Sequence, residues 1–366
     1  MPEIAKNRRL IILGAGCSYA AGLPDGDRLA THLLGYVGGA PWEIVYNKFP
    51  SEHWAPLYHF LLNVLAELAE GGPQSRWKLD RIFDRFYQLL RLDPTGFRTV
   101  YGLLFEAAAQ LLYARSCYGG TTDVYQNFVK ALEMRDVILT FNWDICTEIA
   151  LNRANRPFSR TLRKAPKKLP WLLKLHGSID YLIVDVSRRR KDRKGRAEFL
   201  ETLDAEAPSP FPGRRFELTR LRTYDLGYKV VLEQVAERDS ETMKLQGVAG
   251  GYDVGPFLLT YKLEEYPSYH MLTPGSAKLL YDWQYQLVTQ LLETVCPEVG
   301  EIIVAGYSFQ AYDKPVHKVL RTVHRAADKP PVHIVNPSAA SIKPNLLKSI
   351  FGKCELHACG FGEYEW

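Results

Sequence analysis

Residues that can bind phosphate and move protons follow four short apolar runs of this chain. They form the clusters Gly14-Ala15-Gly16-Cys17-Ser18, Thr140-Phe141-Asn142-Trp143-Asp144, His176-Gly177-Ser178 and Gly306-Tyr307-Ser308-Phe309. Glycines after a buried strand let the backbone approach a pyrophosphate, and a histidine, with its near-neutral intrinsic pKa, suits proton abstraction. Ligands of an open parallel sheet bind beyond the carboxyl ends of its strands, so these clusters are expected to share one crevice. The pattern predicts a dinucleotide site.

The elements that must position these clusters alternate between strand and helix. Apolar runs predict buried strands at residues 9–13, 137–139, 171–175, 302–305 and 332–335. Apolar residues at helical spacing predict helices at residues 277–295 and 314–327. Alternation of this kind is typical of a parallel sheet with helices on its faces.

Two long segments interrupt that alternation. Residues 31–134 are helical in pattern, as in Leu57–Ala69, and are too long for a single crossover. Residues 185–274 are charged, then rich in proline, then rich in glycine, with short β-like runs between. The sequence therefore predicts an α/β fold, a Rossmann-like doubly wound parallel sheet with a helical insertion and a second mixed insertion. Its sheet domain takes residues 1–30, 135–184 and 275–366, and the insertions take 31–134 and 185–274.

Composition narrows the class of protein. A chain of 366 residues with 46% hydrophobic residues can bury a substantial core, and six scattered cysteines favour reduced thiols over a disulfide framework. No apolar stretch approaches the roughly 18 residues of a spanning helix, and residues 1–9 lack a secretory pattern. A cytoplasmic protein without membrane association is expected.

The net charge of +5 has a local source. Seven basic residues and Asp192 lie between Arg188 and Arg196, and the rest of the chain is close to neutral. Such a run is most simply a solvated loop, and a surface for an acidic protein or nucleic acid is the alternative.

From its first cluster onward, the chain resembles the sirtuin family. Sirtuins open with a strand, a Gly-Ala-Gly-x-Ser turn and a Gly-Ile-Pro-Asp-Phe-Arg segment. This chain has the turn at residues 14–18, followed by Gly22-Leu23-Pro24-Asp25. It departs from the pattern with Gly26 and Asp27 in place of the Phe-Arg pair.

The second and third clusters carry the chemistry that the resemblance implies. Asn142 and Asp144 fall on the Asn and Asp of the family's Thr-Gln-Asn-Ile-Asp pattern, and His176-Gly177 is similar to its catalytic His-Gly pair. By resemblance, Asn142 holds the nicotinamide ribose and the attacking water, Asp144 binds the carboxamide, and His176 accepts a proton. Judged alone, Asp144 is a helix N-cap and His176 a satisfied polar residue at a strand end.

The last two elements complete the implied cofactor site. The cluster at 306–309 resembles the family's Gly-Thr-Ser-Leu phosphate loop, and Val335-Asn336-Pro337 resembles a strand end that contacts the adenosine ribose. The implied cofactor-binding residues are Gly14, Ala15, Gly16, Ser18, Pro24, Asp25, Gly306, Ser308 and Asn336.

No metal is expected from the sequence. Deacylating sirtuins carry a four-cysteine zinc module, but this chain has no cysteine between Cys146 and Cys296. The stretch from Cys354 to Cys359 includes Glu355 and His357, yet it lacks an obvious partner pair, and alternation along a terminal strand explains it better.

The resemblance implies a zinc-less, sirtuin-like NAD+ hydrolase, similar to effectors that deplete NAD+ in anti-phage defence. NAD+ is then the substrate, cleaved to nicotinamide and ADP-ribose. A protein deacylase or ADP-ribosyltransferase and a non-catalytic NAD- or ADP-ribose-binding subunit remain alternatives. Expected partners are further copies of the chain or a helicase-like ATPase or Argonaute-like protein, with nucleic acid reached only through a partner or residues 188–196.

Overall fold

A computed structural model describes most of the predicted sheet domain and part of each insertion. The described residues are 7–24, 26, 28–30, 108–109, 112, 115–116, 123–185, 200–207, 215–221, 268–271, 282–310 and 313–366. Most of the predicted helical insertion, the basic run at 188–196 and Asp25 lie outside these ranges.

Ten strands and six α-helices are described, and both are numbered here in chain order. The strands are β1 (Arg8–Leu13), β2 (Val137–Thr140), β3 (Trp171–Lys174), β4 (Gly177–Asp185), β5 (Leu200–Ala207), β6 (Phe216–Leu221), β7 (Ser268–Met271), β8 (Val299–Ala305), β9 (Val332–Val335) and β10 (Glu355–His357). The helices are α1 (Ala15–Ala20), α2 (Gln126–Ala131), α3 (Cys146–Arg153), α4 (Asp282–Glu293), α5 (Lys314–Ala326) and α6 (Pro344–Phe351).

Six strands form an all-parallel sheet in the order β10-β9-β8-β1-β2-β3. Counted along the chain, these six strands have the order 3-2-1-4-5-6, which reverses between β1 and β8. This is the strand order of the doubly wound Rossmann fold, with its switch point at that reversal. The predicted fold class is confirmed.

The central strands form because their residues are apolar on both faces. Leu10, Ile11, Ile12 and Leu13 of β1 are all buried, as are all four residues of β2. Strands covered by helices on both faces are expected to be continuously hydrophobic. On one side, α5 buries Val316, Val319, Leu320 and Val323 and packs against α4 and α6.

A second, antiparallel sheet has the strand order β5-β6-β4-β7. Only two residues, Leu175 and His176, separate the end of β3 from the start of β4, so the second sheet follows directly from one strand end of the first. Tyr181, Leu203 and Leu218 of this sheet belong to the same hydrophobic cluster as β1, β2 and β3. Strands β5 and β6 of the predicted mixed insertion therefore contribute to the same core.

The chain before β2 is tied to the C-terminal tail by aromatic rings. The ring of Tyr125 lies 4.8 Å from that of Phe361, and the ring of Phe128 lies 4.8 Å from that of Trp366. These residues were placed in the helical insertion by sequence, and they pack against the sheet domain. Among the helices that the structure describes, none combines the length and the apolar character needed to cross a bilayer.

Candidate active site

A row of backbone hydrogen bonds crosses the carboxyl edge of the parallel sheet. Each residue that follows a strand donates its N–H to the last carbonyl of the neighbouring strand. The five bonds are Leu175 to Thr140 (3.0 Å), Phe141 to Leu13 (3.0 Å), Gly14 to Ala305 (2.8 Å), Gly306 to Val335 (2.9 Å) and Asn336 to His357 (3.1 Å). The predicted clusters therefore leave the sheet along one edge, with the switch point at its centre.

The loops after β1 and β8 touch at that switch point. The N–H of Gly16 donates to the carbonyl of Gly306 at 2.8 Å. A Cβ on Gly14 would lie 2.6 Å from that carbonyl oxygen, and Gly306 has a φ of +65°, which disfavours side chains. The glycines thus allow close contact between the two loops. The N–H groups of Gly14 and Gly16 donate to carbonyls within the protein, and Ala15 between them is exposed to solvent.

Asn142 is fixed to the glycine turn through its side-chain amide. Its Nδ2 donates to the carbonyl of Gly14 at 3.0 Å and to the hydroxyl of Ser18 at 2.9 Å. The side chain is buried, and its Oδ1 accepts no hydrogen bond from the residues that the structure describes. A buried acceptor without a donor costs about 1–3 kcal/mol, so it is an attachment point for a ligand hydroxyl or a water.

Asp144 binds the N-terminus of α3 from one position before its N-cap, Ile145, so the helix begins one residue later than the simpler interpretation predicted. Its Oδ1 accepts the N–H of Cys146, the first residue of α3, at 2.9 Å. The carboxylate is buried two residues beyond Asn142 at the same strand end. The bond to Cys146 orients the Asp144 carboxylate beside Asn142.

His176 lies in the short connection between β3 and β4, inside a group of aromatic rings. Its ring centroid is 5.4 Å from that of Phe141 and 6.0 Å from that of Tyr285. Phe141 also lies 4.9 Å from Tyr307, the residue after Gly306. Because Phe141 directly precedes Asn142, the structure places the imidazole beside the strand end that carries the amide and the acid. The side chain of His176 is 8% exposed.

A buried ionic network supports these two strand ends. Lys174 Nζ lies 2.9 Å from Glu148 Oε1, and it donates to Ser178 Oγ at 3.0 Å and to the carbonyl of Asp144. Ser178 Oγ in turn donates to the carbonyl of Trp143 at 3.2 Å. These bonds hold the loop carrying Asn142 and Asp144 against the loop carrying His176.

Arg160 and Asp180 extend the network away from the site. The guanidinium lies 3.2 Å from Glu148 and makes two bonds to the Asp180 carboxylate, at 2.6 and 3.0 Å. Burial alone would raise the pKa of Asp180, but the charge and hydrogen bonds of Arg160 outweigh it and lower the pKa to about 2. Asp180 is therefore ionised in the folded protein at neutral pH.

The amino-acid sequence does not reveal this network of buried charges. Its members lie on four separate segments, so no local spacing links them. One signal was present, because Lys174 interrupts an otherwise apolar strand that is buried on both faces. A lysine in such a strand needs a buried anionic partner, and Glu148 and the loop carbonyl supply one.

Tyr125 is a second residue that the sequence did not single out. It is fully buried, and burial together with Cys146, Asp144 and Cys17 raises the pKa of its phenol well above the usual value. Those neighbours place Tyr125 behind the glycine turn. Burial also raises the pKa of the Cys17 thiol, which donates to the Ala305 carbonyl, so Cys17 is a structural thiol at neutral pH.

The remaining predicted cofactor residues lie at or near the same edge. Asn336 donates from Nδ2 to the Tyr307 carbonyl at 3.2 Å, and its Oδ1 accepts the N–H of Ser338 at 2.8 Å. Ser308 is exposed and accepts a hydrogen bond from Gln310 at 3.1 Å. Pro24 is half-buried after the turn, and the predicted Asp25 lies outside the described residues.

The chain matches no protein-family model, and no curated protein is similar to it at a significant level. The geometry of the strand ends and the chemistry of their side chains therefore carry the functional argument.

Proposed function

We propose that the protein is an NAD+ glycohydrolase, whose reaction converts NAD+ and water to nicotinamide, ADP-ribose and a proton. The observation that carries the proposal is the fixed Asn142 amide at the switch point, with a buried, unsatisfied Oδ1. Dinucleotides bind at this crevice in doubly wound sheets. The resemblance of the strand ends to sirtuins supports NAD+ as the ligand.

Asn142 is the proposed anchor of the nicotinamide ribose. Because Nδ2 is held by Gly14 and Ser18, Oδ1 has a fixed direction and can accept a hydrogen bond from a ribose hydroxyl or from the attacking water. Because the Asn142 amide is oriented before the substrate binds, it needs little reorganisation during the reaction. Asp144 is proposed to accept from the carboxamide NH2 through its carboxylate.

His176 is the proposed proton acceptor. The bond between nicotinamide and ribose breaks with the electron pair leaving on nicotinamide, and the sugar carbon becomes oxocarbenium-like. Water then adds at that carbon, and its proton passes to the imidazole of His176. The surrounding rings of Phe141 and Tyr285 limit water around the imidazole and keep it in place.

The experiment that tests this reaction follows nicotinamide release from NAD+ by chromatography, with and without an acetylated peptide. A hydrolase releases nicotinamide at the same rate in both. Release that requires the peptide would identify a deacylase instead. Bound ADP-ribose with intact NAD+, at high protein concentration, would identify a non-catalytic nucleotide-binding subunit.

Depletion of NAD+ in anti-phage defence remains the proposed biological role, by resemblance to effectors of that kind. A cytoplasmic location follows from that role, because the NAD+ pool and the infecting phage are met there. The proposed control is assembly with further copies of the chain or with a helicase-like or Argonaute-like partner.

A further inference from the structure

Two histidines and a glutamate meet on one face of the parallel sheet, at its β10 edge. Glu355 and His357 are two residues apart on β10 and so point to the same side, and Glu355 pairs with His333 of β9 in the sheet register. One ligand atom from each side chain can be chosen so that all three lie within 4.8 Å of one another. This cluster is separate from the proposed nicotinamide site.

The distances within the cluster suit a shared cation. His333 Nδ1 lies 3.0 Å from His357 Nε2, and Glu355 oxygens lie 3.5 Å from His333 Nδ1 and 3.7 Å from His357 Nε2. Zinc bonds of about 2.0–2.2 Å in tetrahedral geometry place neighbouring ligand atoms roughly 3.3 Å apart. The three groups therefore need only small rotations to bind one ion.

A fourth residue orients His333 for that role. Its second ring nitrogen, Nε2, lies 3.2 Å from the carboxylate of Glu301 on β8. When Nε2 carries the proton and donates it to Glu301, the lone pair of Nδ1 faces Glu355 and His357. A carboxylate behind the imidazole is the usual outer partner of a metal-bound histidine. The ring of Tyr364, 5.1 Å from that of His357, packs against the other imidazole.

We propose that His333, Glu355 and His357 bind a divalent transition metal, with zinc as the best fit. Two imidazoles and one carboxylate suit zinc and leave a fourth position for water. The ion would join the edge strand β10 to β9. Glu355 is 65% exposed, so metal can enter from solvent. Residues 354–359 have no obvious partner pair in the sequence, which predicted no metal, and His333 on β9 supplies the further ligand that only the folded chain brings near.

The test is a titration of the full chain, first freed of metal with a chelator, by Co2+ and then Zn2+. One Co2+ per chain should bind with visible absorption bands that Zn2+ abolishes. His333→Gln and His357→Gln should each weaken binding about 100-fold or more, and Glu301→Gln about tenfold. His324→Gln, on α5, and Glu363→Gln, in the C-terminal tail, are matched controls that should bind like the parent.

A second readout separates loss of metal binding from loss of folding. Zn2+ should raise the midpoint of thermal unfolding of the parent chain and of both controls, and leave that of His357→Gln unchanged. Equal Co2+ affinity in the parent and the histidine variants would overturn the proposal, as would the absence of Co2+ bands in the parent. In either case His333 and His357 would be hydrogen-bonded to each other without binding a metal ion.

Discussion

The side chain of Asn142 donates to the carbonyl of Gly14 at 3.0 Å and thereby joins the end of β2 to the end of β1. This bond fixes an amide beside the switch point of the sheet, and its oxygen accepts no hydrogen bond from the described part of the chain. Every role proposed for the site depends on that arrangement, because Asp144 and His176 are positioned around the same strand end.

Replacement of Asn142 should weaken binding of the product ADP-ribose. In Asn142→Ala the acceptor for the ribose hydroxyl is lost, and ADP-ribose should bind about tenfold more weakly, as expected for one lost hydrogen bond. Calorimetric titration measures the effect. The control is Asn127→Ala, whose exposed amide on α2 donates to the Gly362 carbonyl. Equal affinity in the two variants would remove Asn142 from the site.

Gly14 should tolerate no side chain. Gly14→Ala places a Cβ 2.6 Å from the Gly306 carbonyl oxygen and 2.6 Å from Tyr307 Cα, both backbone atoms that cannot swing aside. We expect a loss of about 1–3 kcal/mol in the free energy of unfolding, as for other overpacked sites. Urea unfolding measures it.

Gly26→Ala is the matched control for that substitution. A Cβ at Gly26 would have no atom of the described residues within 4 Å, so the free energy of unfolding of Gly26→Ala should stay within about 0.5 kcal/mol of the parent. A Gly14→Ala variant as stable as Gly26→Ala would show that the loops after β1 and β8 are not in tight contact.

Much of the fold was predictable because the central strands are uniform. Leu10–Leu13, Val137–Leu139 and Ile302–Ala305 are apolar without alternation, which is the pattern of strands buried on both faces. The pairing of β4 with β6 and β7 was not predictable, because β6 and β7 are short and lie far from β4 in the sequence. Strand pairing depends on distant residues that no local pattern contains.

Some residues of the candidate site could likewise be predicted from the sequence, and others could not. Asn142, Asp144 and His176 could be found because each follows an apolar run. Lys174, Glu148 and Asp180 could not be linked from the sequence, because their charges meet only after β3, α3 and β4 are in place. Tyr125 was hidden for a similar reason, since only folding brings it behind the glycine turn.

Loss of the buried Lys174 charge should destabilise the protein strongly. Lys174→Met leaves Glu148 facing Arg160 alone and removes the bonds to Ser178 and to the Asp144 carbonyl, so we expect a loss of about 3–5 kcal/mol in the free energy of unfolding. The exposed Lys348→Met in α6 is the control and should change stability little.

The double variant with Lys174→Met and Glu148→Gln checks the cause of that loss. Removing the second charge should recover part of the stability, because the uncompensated anion is gone. A double variant less stable than Lys174→Met by the full effect of Glu148→Gln would show that the two groups do not interact.

The low pKa of Asp180 makes the free energy of unfolding depend on pH in the acidic range. Its pKa is about 2 in the folded chain, below the ordinary 3.8, so the ionised form stabilises the fold above pH 3.8. That contribution, roughly 2 kcal/mol, is lost as the pH falls from 3.8 towards 2.

Asp180→Asn tests this dependence. The variant should be less stable than the parent at neutral pH, since Arg160 loses its charged partner, and the difference should shrink below pH 3.8. Urea unfolding at a series of pH values measures it. A difference that stays constant from neutral pH to pH 3 would contradict the low pKa of Asp180.

The central claim is tested most directly by the rate of nicotinamide release from NAD+ with the parent chain, His176→Ala and Asn142→Ala. We predict release by the parent and a fall of about 100-fold or more in both variants, in line with the loss of proton transfer or of positioning in the reaction. Lys348→Ala, at an exposed position of α6, should keep the parent rate. Near-parent turnover in either site variant would contradict the account.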